Sequence, residues 1–175
     1  MKKIYLTIMM LAMMVAALGI TACSSDDDSD GGNSKKTLII NGQSYYGHGD
    51  VTENSSRGGM RLTVEALENE KFYFNGHELT IEVSPSKVTE LSVGQVFESP
   101  TIRNYRGLNE IDVVEYDWDV VNGDILVKGI TAKELTIQFN KLTIKHERTG
   151  VEYTFEGTAT LHNSIYANGS WKPFF

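Results

Sequence analysis

The chain of 175 residues carries 16 basic and 23 acidic side chains, a formal net charge of −7 at pH 7, and one cysteine. The excess of acid argues against a protein that binds a nucleic-acid backbone, because such binding needs clustered lysine and arginine. With one cysteine, the chain has no disulfide framework and no cluster of thiolate zinc ligands.

The first 23 residues have the layout of an export signal. Lys2 and Lys3 precede an uncharged run from Ile4 to Ala22, which is typical of a secretory signal. The run is also close to the length of an uncleaved membrane anchor, which needs about 18 apolar residues or more. The segment Leu18–Cys23 (LGITAC) favours cleavage, because it resembles the bacterial lipobox: an aliphatic residue three positions before the cysteine, then small residues.

This resemblance implies a lipoprotein signal peptide at residues 1–22. The thiol of Cys23 would then receive diacylglycerol and its new amine a further acyl chain such as palmitate. Two or more acyl chains hold a protein stably on a membrane. Removing Lys2 and Lys3 with the signal leaves 14 basic against 23 acidic residues, a net charge of −9.

Residues 23–36 are predicted to be the lipidated cysteine and a disordered acidic tether. Ser24–Lys36 has no apolar residue to bury and spans about 20 Å root-mean-square, at about 5–6 Å × √n. Within it, Ser25–Asp28 resembles the acidic export signal of Bacteroidetes surface lipoproteins. That resemblance implies a protein anchored in the outer membrane and exposed at the cell surface; the periplasmic face is the alternative.

Residues 37–175 are predicted to form a single β domain. Thr, Val, Ile, Tyr and Phe recur in short alternating runs separated by Gly, Asn, Asp and Ser, the pattern of strands and turns. The expected fold is all-β, an antiparallel β-sandwich or partly open barrel of about nine strands joined by tight hairpins. The other predicted strands are Leu38–Ile40 and Gln43–Tyr46 around Asn41-Gly42, a strand through Met60, Leu62 and Val64, and Phe72–Phe74 and His77–Val83 around Asn75-Gly76.

Asn122-Gly123 predicts a hairpin between Val113–Val121 and Asp124–Ile130, since Asn-Gly is the preferred pair for a type I′ turn. The implied register places Trp118 on a core face, and its partners are Trp118 with Val127, Val120 with Ile125, Tyr116 with Gly129 and Asp117 with Lys128.

A second predicted hairpin joins Leu142–His146 to Val151–Leu161 through a loop at 147–150. It places aromatic and aliphatic partners on one face and opposite charges on the other. The apolar residues of this segment fall on odd-numbered positions before Asn140-Lys141 and on even-numbered positions after it, which indicates a β-bulge or a break. The expected partners are Leu142 with Phe155, Ile144 with Tyr153, Lys145 with Glu152 and Lys141 with Glu156.

The sequence offers little catalytic or metal-binding chemistry, and no cofactor is expected. His48 in a glycine-rich loop, His77, His146 and His162 are scattered and lack familiar ligand spacing. The series Glu115, Asp117, Asp119 is interpreted as a solvated strand face, because its members lie about 6.6–6.8 Å apart per step and lack the glycine of a calcium loop.

The stretch Ser99–Gly107 is the most loop-like part of the domain that carries bulky polar groups, and loops carry function on β scaffolds. Arg103, Tyr105, Arg106 and the C-terminal Trp171 are therefore the candidate binding residues. Aromatic platform candidates of less certain phase are Tyr45, Tyr46 and Tyr166.

The chain as a whole resembles the small surface lipoproteins of Bacteroidetes. Its expected function is that of a surface-anchored, non-catalytic binding or assembly module, with an extracellular glycan or an envelope protein as partner. The alternatives are an envelope structural or adhesion lipoprotein, or a glycan-acting enzyme, for which two carboxyls about 5–10 Å apart in a cleft would be the sign.

Overall fold

The computed structural model describes residues 35–54, 59–69, 76–107, 114–115, 118–164, 166–167, 170–171 and 173–174. These residues form strands, their connections and one short 3-10 turn at Val88–Glu90. The strands are β1 Leu38–Ile40, β2 Gln43–Asn54, β3 Gly59–Leu67, β4 Gly76–Val83, β5 Thr101–Arg106, β6 Val114–Glu115, β7 Trp118–Ile130, β8 Glu134–His146, β9 Glu152–Asn163, β10 Tyr166–Ala167 and β11 Ser170–Trp171.

Nine strands form one sheet in the order β6-β5-β4-β3-β2-β1-β9-β8-β7, and this sheet curls into a nearly closed barrel. Neighbours in this order are antiparallel. Beyond the end of the short β1, β2 also pairs in parallel with β9. The remaining pair, β10 and β11, forms a separate two-stranded antiparallel sheet. The predicted all-β fold, with about nine strands, is confirmed.

The predicted hairpin around Asn41-Gly42 is confirmed, with Leu38–Ile40 as its first strand and a second strand that begins at Gln43 and continues past Tyr46 to Asn54. Asn41 and Gly42 have φ values of 49° and 85°, the positive pair that a type I′ turn requires. The resulting register places Leu38 opposite Tyr45 and Ile40 opposite Gln43. Both Leu38 and Tyr45 are buried, so turn chemistry and hydrophobic pattern agree here.

The hairpin of β8 and β9 also has the expected register. Leu142 lies opposite Phe155 and Ile144 opposite Tyr153. Lys145 and Glu152 form the expected ion pair, with Nζ 3.0 Å from Oε1. The phase change in β8 is a bulge, because the register shifts between Phe139 and Leu142, and Lys141 has a φ of 52°. Glu156 pairs with Ile39 of β1, and its expected pairing with Lys141 is absent from the β8–β9 register because the bulge removes Lys141 from the ladder.

The predicted hairpin at Asn122-Gly123 is wrong. Both residues lie inside β7, which runs without a turn from Trp118 to Ile130. Trp118 pairs with His146 and Val127 with Ile137, both on β8, so Trp118 and Val127 are not partners. Both are nevertheless buried, as the core face predicted. Tyr116 and Asp117 lie outside the described residues.

Gly123 forms an irregularity in the strand instead of a turn. It has a φ of 79°, and a Cβ there would lie 2.3 Å from the carbonyl oxygen of Lys141. The positions of β7 that face the core change at this point: the buried residue before it, Trp118, is even-numbered, and the buried residues after it, Ile125 and Val127, are odd-numbered. Strand β8 changes phase at Lys141, directly across the ladder. Because the buried positions of both strands shift at the same level, β7 and β8 continue to pair on both sides of the irregularity.

His48 was expected in a glycine-rich loop, but it lies within β2. Its flanking glycines serve close packing of strands. A Cβ at Gly47 would lie 2.6 Å from the carbonyl oxygen of Thr158, and one at Gly49 would lie 1.9 Å from that of Thr63. Gly47 and Gly49 are therefore required because backbone on neighbouring strands approaches them closely.

The strand predicted through Met60, Leu62 and Val64 is β3, and all three side chains are buried. The predicted strand His77–Val83 is β4, which pairs with β3 and β5. Its expected partner, Phe72–Phe74, lies outside the described residues.

The barrel interior differs between its two ends. At one end the inward side chains are aliphatic: Val51, Met60, Val83, Leu135 and Leu161 are all buried. At the other end the interior holds rings with polar atoms. We call this second region the aromatic end, and its members are Tyr45, His77, Tyr105, Trp118, His146 and Tyr153.

Candidate functional site

The stretch Ser99–Gly107 was expected to be loop-like, but its residues Thr101–Arg106 form strand β5. The register between β4 and β5 shifts after Ile81, so that Ile102 lies opposite Ile81 while Asn104 lies opposite Thr80. Arg103 is the extra residue of this bulge. The bulge separates the inward residues Ile102 and Tyr105 by three positions, which hides the alternation typical of a strand.

Tyr105 is therefore not an exposed platform. Only 1% of it is accessible, and its ring packs in the core beside Phe155. Tyr45 is buried as well, at 3% accessible. Tyr46 is half-buried, with Nζ of Lys36 5.6 Å from the centre of its ring.

The side chains of two further predicted residues, Trp171 and Cys23, lie outside the described part of the structure. Trp171 pairs with Tyr166 across β10 and β11. Cys23 lies outside the described residues. Of the acidic series, Asp119 is exposed at the start of β7, and Asp117 is outside the described residues.

Arg103 and Arg106 lie on the outer side of the barrel, where polar side chains form rows across β2 to β5. We call this surface the outer polar face. The register gives three rows: His48, Glu65, Glu78 and Arg106; Asp50, Thr63, Thr80 and Asn104; and Thr52, Arg61, Glu82 and Thr101, with Arg103 reaching Glu82 from the bulge.

The arginines of the outer polar face are each held by a carboxylate on β4. Arg106 Nη2 lies 3.1 Å from Oε2 of Glu78, and Arg61 Nη2 lies 3.6 Å from Oε1 of Glu82. Arg103 donates a hydrogen bond to the same Glu82. This bond, together with the charges of both arginines, holds the pKa of Glu82 below its ordinary value against the opposing effect of burial.

For two other carboxyl groups of this face, Asp50 and Glu65, the surroundings disfavour the ionised form. Burial raises the pKa of Asp50, and the charge of Glu78 raises it further, while a hydrogen bond with Thr63 opposes the change. Burial also raises the pKa of Glu65, followed by the charges of Glu78 and Asp50, and Arg106 opposes this. Like charges directly opposite each other on a sheet are destabilising, and Glu65 lies directly opposite Glu78. Perturbed carboxyls of this kind cluster at functional sites.

At the aromatic end, His77 connects two buried tyrosines. Its Nδ1 lies 2.6 Å from the hydroxyl oxygen of Tyr105, and its Nε2 lies 3.1 Å from that of Tyr45. A neutral imidazole carries one N–H and one acceptor nitrogen. One tyrosine therefore donates to the ring and the other accepts from it, so that β2, β4 and β5 are linked across the barrel interior.

Trp118 lies at the same end with a buried polar atom. The residue is 9% accessible, and its indole Nε1 is inaccessible and has no hydrogen-bond partner among the described residues. A buried donor left unsatisfied costs about 1–3 kcal/mol. Its ring contacts those of His146, Tyr105 and Tyr153, at centroid distances of 4.9, 5.1 and 5.9 Å. This atom was not anticipated from the sequence, because no local pattern shows whether an indole finds an acceptor.

Part of the β7 edge is covered by the segment after the 3-10 turn. Gly94 and Phe97 donate backbone hydrogen bonds to Val127 and Ile125, and Val127 donates to Gln95. Three valines near this edge are exposed: Val93 by 65%, Val96 by 45% and Val121 by 50%. An added strand could therefore not pair with β7 at Ile125–Val127 without displacing this segment.

Over the described ranges, no three His, Cys, Asp or Glu side chains lie together in a way that could hold a metal ion. The same ranges contain no helix long and apolar enough to cross a membrane.

No protein-family model, curated protein or solved structure matches this chain. The geometry of the outer polar face and of the aromatic end is therefore the basis for a function.

Proposed function

We propose that the protein is a lipid-anchored, non-catalytic binding module of the outer membrane, displayed at the cell surface, whose outer polar face binds an extracellular glycan. The proposed lipid anchor rests on the resemblance of Leu18–Cys23 to a lipobox. The proposed location at the cell surface rests on the resemblance of Ser25–Asp28 to a surface export signal. The binding role rests on the outer polar face.

The observation that carries the binding role is the fixed arrangement of planar polar groups on β3 to β5. Arg61, Arg103 and Arg106 are each held by Glu78 or Glu82. Groups held in place before a ligand arrives lose less entropy on binding. Guanidinium, carboxylate, amide and hydroxyl groups supply both donors and acceptors, which sugar hydroxyls require. The acidic charge of the chain favours neutral or basic glycans over acidic ones.

The alternative, an envelope assembly or adhesion protein, has a different observation in its favour. Val93, Val96 and Val121 are exposed near the β7 edge, and exposed apolar groups are common at protein interfaces. This role predicts concentration-dependent self-association or binding to an envelope protein. Sedimentation of the wild type and of Val121→Ser would detect the self-association.

A glycan array probed with the purified full-length chain tests the leading role. The double variant Arg103→Ala/Arg106→Ala should lose most of the glycan-binding signal. Lys145→Ala is the matched control, because it also breaks an exposed ion pair but lies on β8, away from the outer polar face. The proposal fails if no glycan binds, or if the control loses binding as the double variant does.

A further inference from the structure

Asparagine is a thermolabile residue, and it is most reactive before glycine, because no side chain of the next residue shields the backbone nitrogen that attacks it. The chain contains Asn-Gly at 41–42, 75–76, 122–123 and 168–169. The side chains of the first and third pairs are described, and the fold holds them differently. We infer that Asn122 is a site of spontaneous deamidation in the folded protein, whereas Asn41 is protected. This inference is independent of the outer polar face.

Asn41 is fixed through both its side chain and its backbone. Its Oδ1 accepts a hydrogen bond from the backbone N–H of Thr154 at 2.8 Å, and its own N–H donates to the carbonyl oxygen of Thr154 at 3.0 Å. Turning the side chain toward the nitrogen of Gly42 would break the first of these bonds and leave the Thr154 N–H without its acceptor. The bond therefore opposes the rotation that cyclisation needs.

Asn122 has no comparable restraint. Its side chain is exposed. The neighbouring side chains of Asp124 and Asn140 bond to each other, and none among the described residues bonds to that of Asn122. Gly123 is exposed too, and no residue of β8 lies opposite it in the register. The peptide unit between Asn122 and Gly123 can therefore turn with less loss of strand pairing than a unit inside a regular ladder.

The reaction needs only water. The nitrogen of Gly123 attacks the side-chain carbonyl carbon of Asn122 and loses its proton to solvent, while the side-chain nitrogen takes up a proton and leaves as ammonia. Water then opens the resulting five-membered imide at either of its carbonyl carbons. Opening at the side-chain carbonyl gives aspartate. Opening at the backbone carbonyl gives isoaspartate, in which the main chain runs through an additional methylene group.

The two products differ in what they do to β7. Both add a negative charge to a chain that is already acidic, and only isoaspartate lengthens the main chain. The backbone of β8 lies close at this position, because a Cβ on Gly123 would be 2.3 Å from the carbonyl oxygen of Lys141. Isoaspartate should therefore disturb the pairing of β7 with β8 and weaken the fold.

The test follows both asparagines in one sample of the purified full-length protein in detergent micelles. After incubation at mildly alkaline pH, peptide mass spectrometry measures conversion of amide to acid at positions 41 and 122. Position 122 should convert several-fold faster, since one hydrogen bond of ordinary net strength corresponds to a rate factor of about 2 to 10. Ile40 and Val121, which precede the two asparagines, are both β-branched, so unfolding in urea should bring the two rates together.

A second readout detects the isoaspartate. An enzyme that methylates isoaspartate should label the peptide containing position 122 from the aged wild type. The matched variant Asn122→Gln has a longer side chain that does not form the five-membered ring, so after the same incubation it should keep a higher Tm than the wild type. The inference is overturned if position 122 keeps its amide in the folded protein while the unfolded sample loses it, or if positions 41 and 122 convert equally fast in the folded protein. Equal Tm values after incubation would overturn the effect on β7.

Discussion

The imidazole of His146 packs on the indole of Trp118, with ring centroids 4.9 Å apart, where β8 ends and β7 begins. The same indole contacts Tyr105 on β5, at 5.1 Å. No β5–β7 backbone pairing occurs in the described sheet, so these rings help to join its two sides. The stability of the barrel should therefore depend on Trp118.

Replacement of Trp118 by alanine should destabilise the protein by about 3–5 kcal/mol, as for a large core aromatic. Asp119→Ala is the matched control. Asp119 is the next residue along β7 and is exposed opposite Lys145, so it should cost under about 1 kcal/mol. Denaturant unfolding measures both. A larger loss for Asp119→Ala than for Trp118→Ala would contradict the placement of Trp118 in the core.

Gly123→Ala and Gly42→Ala should differ, although both glycines have positive φ, 79° and 85°. That backbone alone costs an L-residue about 1–2 kcal/mol. A Cβ at Gly42 meets nothing within 4 Å, whereas one at Gly123 meets the Lys141 carbonyl oxygen at 2.3 Å. Unfolding experiments should therefore show Gly123→Ala to be worse by at least about 1 kcal/mol, the scale of local backbone strain. Equal losses would instead indicate an open turn at Gly123.

Glu65→Gln and Glu82→Gln should change stability in opposite directions at neutral pH. The pKa of Glu65 is raised, chiefly by burial, so its ionised form opposes folding and the amide should stabilise. The pKa of Glu82 is lowered, chiefly by its hydrogen bond with Arg103, so its ionised form favours folding and the amide should destabilise.

Both differences should disappear in acid, by linkage. The gain of Glu65→Gln fades as the pH falls through the raised folded-state pKa of Glu65 toward the ordinary pKa of glutamate, below which the wild-type side chain is protonated in both the folded and the unfolded state. The loss of Glu82→Gln fades as the pH falls through the lowered folded-state pKa. Unfolding free energies measured across pH give both curves. If both substitutions changed the unfolding free energy in the same direction at neutral pH, the pKa shifts assigned to Glu65 and Glu82 would be contradicted.

Cys23 should carry the lipid. Mass spectrometry of the mature N-terminus should detect an acylated cysteine with residues 1–22 removed, because Leu18–Cys23 resembles a lipobox. Cys23→Ala should leave the membrane fraction, since two or more acyl chains are what hold such a protein stably. Wild-type membrane association of Cys23→Ala would count against lipidation.

The acidic tether should direct the protein to the outer face. Replacement of Asp26, Asp27 and Asp28 by alanine should protect the protein from protease added to intact cells, while the wild type is digested. Replacement of Asp30 alone, at the far end of the same acidic stretch, is the control and should leave digestion unchanged. Protection of the wild type would place it on the periplasmic face instead.

The sequence by itself determined the fold class and the features whose signals are local. Asn41-Gly42 predicts its turn, because both positions need positive φ and both strands beside it alternate. The pairing of Ile144 with Tyr153 follows in the same way from a short loop with matched aromatic and charged faces. In each case the residues that decide the geometry are within a few positions of one another.

Only the tertiary structure decided the meaning of Asn122-Gly123 and the position of Tyr105. A change of inward phase at Gly123 fits a hairpin and a bulge equally well. Pairing with strand β8 favours the bulge, because the core-facing positions of β8 also shift at the same level, at Lys141. Tyr105 becomes a core residue because a bulge at Arg103 moves it inward beside Leu79. Such choices depend on which strands become neighbours, and alternation along one strand carries no information about its neighbour.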